Sequence, residues 1–164
     1  GDTHALSLLA HAFANCPVAD GELFSHVSAQ TLKCPPHAFT PQSLAVLSNA
    51  FAKADARHHG LFRHLCSVVV SMPGDELSEQ HIAVIANALA RNGLKWPRHK
   101  LAAPGAYQQL HAAFRHLSTA VLEHRKRDFS AQGVALVVNA YAKLDIQDRP
   151  LFIHMAKVAV TVGP

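Results

Sequence analysis

Phe39-Thr40-Pro41-Gln42-Ser43-Leu44-Ala45-Val46-Leu47-Ser48-Asn49-Ala50-Phe51-Ala52-Lys53 decides the fold, because the chain returns to it. One echo runs from Leu77-Ser78-Glu79-Gln80 to Asn87-Ala88-Leu89-Ala90-Arg91, and another from Phe129-Ser130-Ala131-Gln132 to Asn139-Ala140-Tyr141-Ala142-Lys143. The asparagines at 49, 87 and 139 are 38 and 52 residues apart. A step of 38 back from Asn49 reaches His11, where Ala12-Phe13-Ala14 mirrors Ala50-Phe51-Ala52 in a worn first copy. The period is therefore 38, with one interval lengthened by 14.

A second marker keeps the same phase: Leu23-Phe24-Ser25-His26, Leu61-Phe62-Arg63-His64, Ala113-Phe114-Arg115-His116 and Leu151-Phe152-Ile153-His154. Its phenylalanines are spaced 38, 52 and 38, which puts the extra residues in the third unit, between Asn92 and Gly105. A fixed period of this size marks a repeat array in which each unit buries its apolar face on its neighbours. The expected fold is all-α: an α-solenoid of about four antiparallel helical hairpins. The array is one domain over 1–164, with units near 1–36, 37–74, 75–126 and 127–164. A start at Gly1 beside a repeat boundary, without an initiator Met, points to a piece of a longer protein.

Local signals place the helices. Thr40 is an N-cap with Pro41 in the first turn, where a missing N–H costs nothing. Asp2 stands 38 before Thr40 and takes the same role, and Asp20, Ser78, Ser130 and Asp148 are the other expected caps. Phe39 with Leu44, Leu77 with Ile82, and Phe129 with Val134 have the spacing of a hydrophobic staple. Leu6, Leu9 and Phe13 mark the expected buried stripe of the first helix; Leu23, Phe24, Val27 and Leu32 belong to the second. Leu44, Leu47, Phe51 and Ala54 form the stripe of the third. Pro35-Pro36 and Pro73-Gly74 close units, because proline disfavours a helical predecessor. Gly93 is placed to end the unit-three helix in a left-handed conformation. Leu94 to Pro104, with the chain's single Trp at 96, reads as an exposed loop. The helix that follows, about 105–122, is longer than its counterparts, and 123–127 links it to unit four.

Composition narrows the function. At 49% hydrophobic the chain is not disordered, and 7% aromatic with abundant Ala suits helices in close approach. No apolar run reaches the roughly 18 residues that span a bilayer, so no membrane insertion is expected. Three cysteines without paired spacing, Cys16, Cys34 and Cys66, read as reduced small apolar side chains. No Gly-rich phosphate loop, nucleophile elbow or HExxH motif occurs, so no catalytic role, cofactor or small-molecule substrate is expected. Thirteen histidines raise the question of metal, but only the loose His58, His59, His64, Cys66 group approaches ligand spacing. His26, His64, His116 and His154 recur in register, which favours a repeated packing or inter-helix hydrogen bond.

Charge is unevenly spread. Residues 1–90 carry four Lys/Arg against seven Asp/Glu, whereas 91–164 carry eleven against four, within a net charge of +4. A basic half points to a polyanionic partner, with a solvated face as the plainer reading. Positions spaced like 42, 49 and 53 share one helix face. That face reads Gln42, Asn49, Lys53 in unit two; Gln80, Asn87, Arg91 in unit three; Gln132, Asn139, Lys143 in unit four; and His4, His11, Asn15 in unit one. Amides can bond base edges and a cation can meet phosphate. The structural alternative has each Asn tie its helix to the neighbouring unit's backbone. Lys95, Arg98 and Lys100, with Arg125, Lys126 and Arg127, would position phosphate, and Trp96 could stack on a base or cap the loop.

The pattern at 39–53 and its echoes at 77–91 and 129–143 resembles the octotricopeptide and heptatricopeptide repeat proteins of algal and alveolate organelles. The resemblance covers all four units. It implies paired antiparallel helices in an α-solenoid, a mitochondrial matrix or, as the lesser option, plastid address, and binding of organellar RNA through the first-helix stripe. Some similar proteins are built into mitochondrial ribosomes. Such proteins often add more repeats and a C-terminal RAP domain, neither of which is visible here. The resulting expectation is an organellar RNA-binding protein, a structural or assembly component associated with rRNA and neighbouring proteins of a mitochondrial ribosome. The rival is a protein-protein scaffold of a large organellar complex without RNA, which the acidic first half fits.

Overall fold

The computed structural model describes residues 2–16, 21–54, 58–94, 105–123 and 129–162, and among them every regular element is helical. The helices are α1 (Thr3–Ala14), α2 (Gly21–Thr31), α3 (Pro41–Lys53), α4 (His59–Ser71), α5 (Glu79–Leu94), α6 (Ala106–Glu123), α7 (Ala131–Lys143) and α8 (Arg149–Val162). Short 3-10 turns at Pro36–Ala38 and Gly74–Glu76 follow the prolines at equivalent points of two successive periods. The protein is all-α.

Local chemistry starts these helices. Asp2 accepts hydrogen bonds from the N–H groups of His4 (3.0 Å) and Ala5 (3.3 Å). Thr40 and Ser43 form a reciprocal capping box, each hydroxyl accepting from the other's N–H. Ser130 accepts from Gly133 N–H and Asp148 from Leu151 N–H, both at 3.0 Å. Each such cap is worth about 1 kcal/mol. The expected cap Asp20 and most of the expected loop before Gly105 lie outside the described residues.

The packing alternates along the chain. α1 lies on α3, α3 on α5 and α5 on α7; α4 lies on α6, and α2 on α4 and α6 on α8 with less contact. Each odd helix also touches the even helix that follows it. One apolar core runs through the rows, with Leu44, Leu47, Ile82, Ile85, Leu89, Phe114, Val137 and Tyr141 all shielded from water. Burying a side chain of this size contributes roughly 1.5–3 kcal/mol.

Hydrogen bonds cross the units at repeating positions. His64 Nε2 donates to the Cys34 carbonyl at 3.0 Å, and His116 Nε2 to the Met72 carbonyl at 2.7 Å. Cys34 and Met72 follow the ends of α2 and α4, so each ring satisfies a carbonyl that the previous helix leaves without an intrahelical donor. Two of the four in-register histidines thus make the expected inter-helix bond.

Three expectations are corrected. The face of α1 that is buried is Thr3, Ser7 and Ala10; Leu9 is 46% exposed, and Leu6 and Phe13 only partly covered. The reason is helical spacing: positions 3, 7 and 10 share one face of α1, and Leu9 lies off it. Leu32 lies beyond the end of α2 and is exposed. Gly93 does not terminate α5, which continues to Leu94, nor does it take a left-handed conformation. It is buried where a Cβ would come within 3.1 Å of the Leu110 and Leu144 side chains, so it serves close helix approach instead.

Candidate nucleic-acid interface

The polar stripe read from the sequence lies along one row of helices, α1, α3, α5 and α7, each copy on a helix that packs on the next. Gln42, Lys53, Gln80, Gln132, Asn139 and Lys143 are exposed; Asn49, Asn87 and Arg91 are half-buried. The helices that carry its four copies pack in consecutive pairs. Lys95, Arg98, Lys100, Arg125, Lys126 and Arg127, and Trp96 among them, lie outside the described residues. Among the described residues, no hydrogen bond ties Asn49, Asn87 or Asn139 to a neighbouring unit's backbone.

Two stripe residues are joined to the adjacent unit. Lys53 Nζ donates to Asn15 Oδ1, a residue at the same repeat position one period earlier, and Asn15 in turn donates to the His11 carbonyl at 2.8 Å. Gln42 Oε1 lies 3.1 Å from His81 Nε2. The His81 ring has one assignable state: its Nδ1 accepts from Ser78 N–H at 3.3 Å, so Nε2 carries the proton and donates to Gln42. Ser78 Oγ accepts from His81 N–H in return, closing a capping box in which His stands where Glu or Gln is usual.

Sequence reasoning missed the role of His81, and it placed Asn15 on the stripe without its bond to Lys53. The S-x-x-H spacing at 78–81 was a signal for the cap. The contact with Gln42, 39 residues away, was not, since it depends on how α3 and α5 are set side by side.

At the matching position of α7 stands Gly133, and the α5–α7 seam is open there. A groove of about 260 Å³ is lined by Glu79, Gln80, Val84, Ser130, Gln132 and Leu136, among others. Two exposed amides, two apolar side chains, a hydroxyl and one carboxylate face the same space. Ser130 Oγ is engaged by Gly133 N–H. Apolar walls with amides at the rim can take a flat ring and bond its edge.

The histidines show no metal-binding arrangement: among the described residues no three His, Cys, Asp or Glu side chains come together. His58, His81 and His111 are each held below the ordinary His value of 6.5, chiefly by burial. His59 adds to the effect at His58 and Arg115 at His111, whereas Glu79 opposes it at His81. Burial pushes the Cys66 thiol up to about 12, which leaves it an inert apolar side chain. No helix among the described residues is long and apolar enough to cross a membrane. Compared with protein-family models, curated proteins and solved structures, the chain matches none.

Proposed function

We propose that this chain is a non-catalytic, RNA-binding α-solenoid of an organelle, four helical hairpins in series, and that its RNA is ribosomal RNA of a mitochondrial ribosome or its assembly intermediate. The observation that carries the reading is the α5–α7 groove with Gln80 and Gln132 at its rim, on the row of helices that also presents Asn139 and Lys143 to solvent. A row of odd helices packed in chain order gives such a stripe an extended surface, the form of interface that helical-repeat readers use. Lys95, Arg98, Lys100, Arg125, Lys126 and Arg127 supply the phosphate contacts in this proposal, which raise affinity without specifying sequence. The mitochondrial address is inferred from the resemblance.

A second reading has its own observation. Gln42 and Lys53 are already bonded to neighbouring units, and the first half of the chain is net acidic, so units one and two suit a protein neighbour better than RNA. The two readings meet in a ribosome, with the acidic half on protein and the basic half on rRNA.

The test is crosslinking of the native protein to RNA in isolated organelles, with sequencing of the attached fragments and mapping of the linked residues. The proposal expects rRNA fragments joined at 79–143. Recovery of the protein in a large particle without RNA attached would leave the scaffold reading in its place. In solution, RNA retention should fall steeply with salt, by roughly tenfold or more between 50 and 200 mM for several phosphate contacts.

A further inference from the structure

Glu79 stands apart from the other residues that line the α5–α7 groove. Among the described residues it is the groove's one carboxylate, half-buried at the first residue of α5. The other copies of its repeat position are Thr3, Pro41 and Ala131, and α1, α3 and α7 each begin without an acidic residue in the first turn. The repeat itself therefore does not require a carboxylate there. Among the described residues the Glu79 carboxylate has no hydrogen-bond partner, and neither do the amides of Gln80 and Gln132. The remaining copy of that amide, Gln42, is bonded to His81. Three polar groups at one groove are thus free to bond a ligand, whereas the equivalent amide of the neighbouring seam is engaged.

An ionised carboxylate only accepts hydrogen bonds, and it repels phosphate, so the groove suits the base of a nucleotide and not its backbone. An unpaired base in single-stranded RNA exposes its Watson–Crick edge. The four edges differ in what they offer Glu79. Uracil has one N–H flanked by two carbonyl oxygens. Cytosine and adenine each set an amino group beside a bare ring nitrogen, whose lone pair would face the carboxylate. Guanine alone presents two donors side by side, N1–H and N2–H, which match the two oxygens of one carboxylate. The next atoms along its rim, O6 and N7, are acceptors that an amide N–H can meet. Val84 and Leu136 give the flat ring apolar contact. The groove's volume of about 260 Å³ lies below the roughly 300–1,000 Å³ of clefts for larger ligands, in keeping with one base.

We propose that the α5–α7 groove selects guanine: the Glu79 carboxylate accepts from N1–H and N2–H of an unpaired guanine, and Gln80 or Gln132 donates to its O6. Glu79 is then the residue that sets specificity, and the amides position the ring. The α3–α5 seam, with Pro41 at the matching position and Gln42 already bonded, has no such selectivity. The inference rests on the RNA-binding reading of the same groove.

The test is fluorescence anisotropy of the full chain, at low salt, with short labelled oligouridylates that carry one central guanine, adenine, cytosine or inosine, or none. The guanine RNA should bind roughly tenfold or more tighter than the adenine, cytosine and all-uridine RNAs, the discrimination of one bidentate pair. Inosine lacks the N2 amino group and should lose most of that advantage. Glu79→Gln keeps the side chain's size and removes one of the two acceptors. It should cut the guanine preference to about twofold or less without weakening the binding of all-uridine RNA. A guanine preference that survives Glu79→Gln, an inosine RNA held as tightly as the guanine one, or a wild type that binds every RNA alike overturns the proposal. In the last case, weaker binding of all the RNAs by Gly133→His would keep the groove as an RNA site without base selectivity. Failure to bind any of the RNAs would remove the RNA-binding reading itself, and this inference with it.

Discussion

The α3–α5 and α5–α7 seams carry the same amides, Gln42 with Gln80 and Gln80 with Gln132, but set His81 against Gly133 at the third residue after the cap. In the first, the His81 ring occupies the space beside Gln42, bonded to it and to the Ser78 N–H. In the second, Gly133 leaves that space as a groove between Gln80 and Gln132. A repeat can therefore close one seam and open the next without altering its helices, by choosing the residue three after the cap.

The largest effect should come from removing what both seams share. Leu89 of α5, the helix common to both seams, is fully buried in the core, and Leu89→Ala should cost about 2–5 kcal/mol, read as a lower midpoint in chemical denaturation. A cost under about 1 kcal/mol would mean that α5 does not tie the seams together.

Behind the open seam, Tyr141 OH donates to the Phe114 carbonyl at 2.6 Å, with the rings edge to face at 4.8 Å. Tyr141→Phe keeps the ring and leaves that carbonyl without this donor, so a loss of roughly 1–2 kcal/mol is expected. An unchanged midpoint would show that the hydroxyl contributes nothing to the joint between α6 and α7.

Exchanging the two seam residues sharpens the comparison directly. Gly133→His should close the α5–α7 groove and reduce RNA retention several-fold, on the scale of about 1 kcal/mol for one lost stacking site. His81→Gly should open the α3–α5 seam without that loss. Equal effects from the two variants would remove the groove from the binding surface.

His81→Ala tests the closed seam alone, with an expected cost near 1 kcal/mol for the lost cap. The same variant has a pH signature. Folding holds His81 below 6.5, so the unfolded chain binds more protons as pH falls under that value. Stability from this group is therefore complete above 6.5 and is lost as pH drops toward the lowered folded value. Thermal unfolding followed from pH 7.5 to 5 should fall less steeply in His81→Ala than in the wild type, with His58 and His111 accounting for part of the remaining slope.

The smallest expected change has the opposite sign. Among the described residues Ser48 Oγ is buried with no hydrogen-bond partner, at the α3 position whose counterparts are the apolar Ala10, Ala86 and Val138. Ser48→Ala should raise stability by up to about 1 kcal/mol, because it removes an unsatisfied hydroxyl. A loss would reveal a partner for that hydroxyl, such as a buried water.

What the sequence determined is the local layer of this protein. Caps and staples act across three to five residues, so Asp2, Thr40, Ser78, Ser130 and Asp148 mark helix starts in any environment, and the period of 38 marks the units. The stripe of Gln42, Asn49 and Lys53 and its echoes was visible for the same reason, since one helix face follows from spacing alone. The tertiary structure decided which faces are covered and which residues are already engaged. Gly93 looked like a helix end but is a point of close approach to Leu110 and Leu144, and Leu9 looked like core but is exposed on α1. Gln42 pairs with His81 and Lys53 with Asn15, side chains a full unit apart in the chain. Those outcomes depend on the offset between stacked helices, which is set by the summed packing of many side chains and is carried by no single motif.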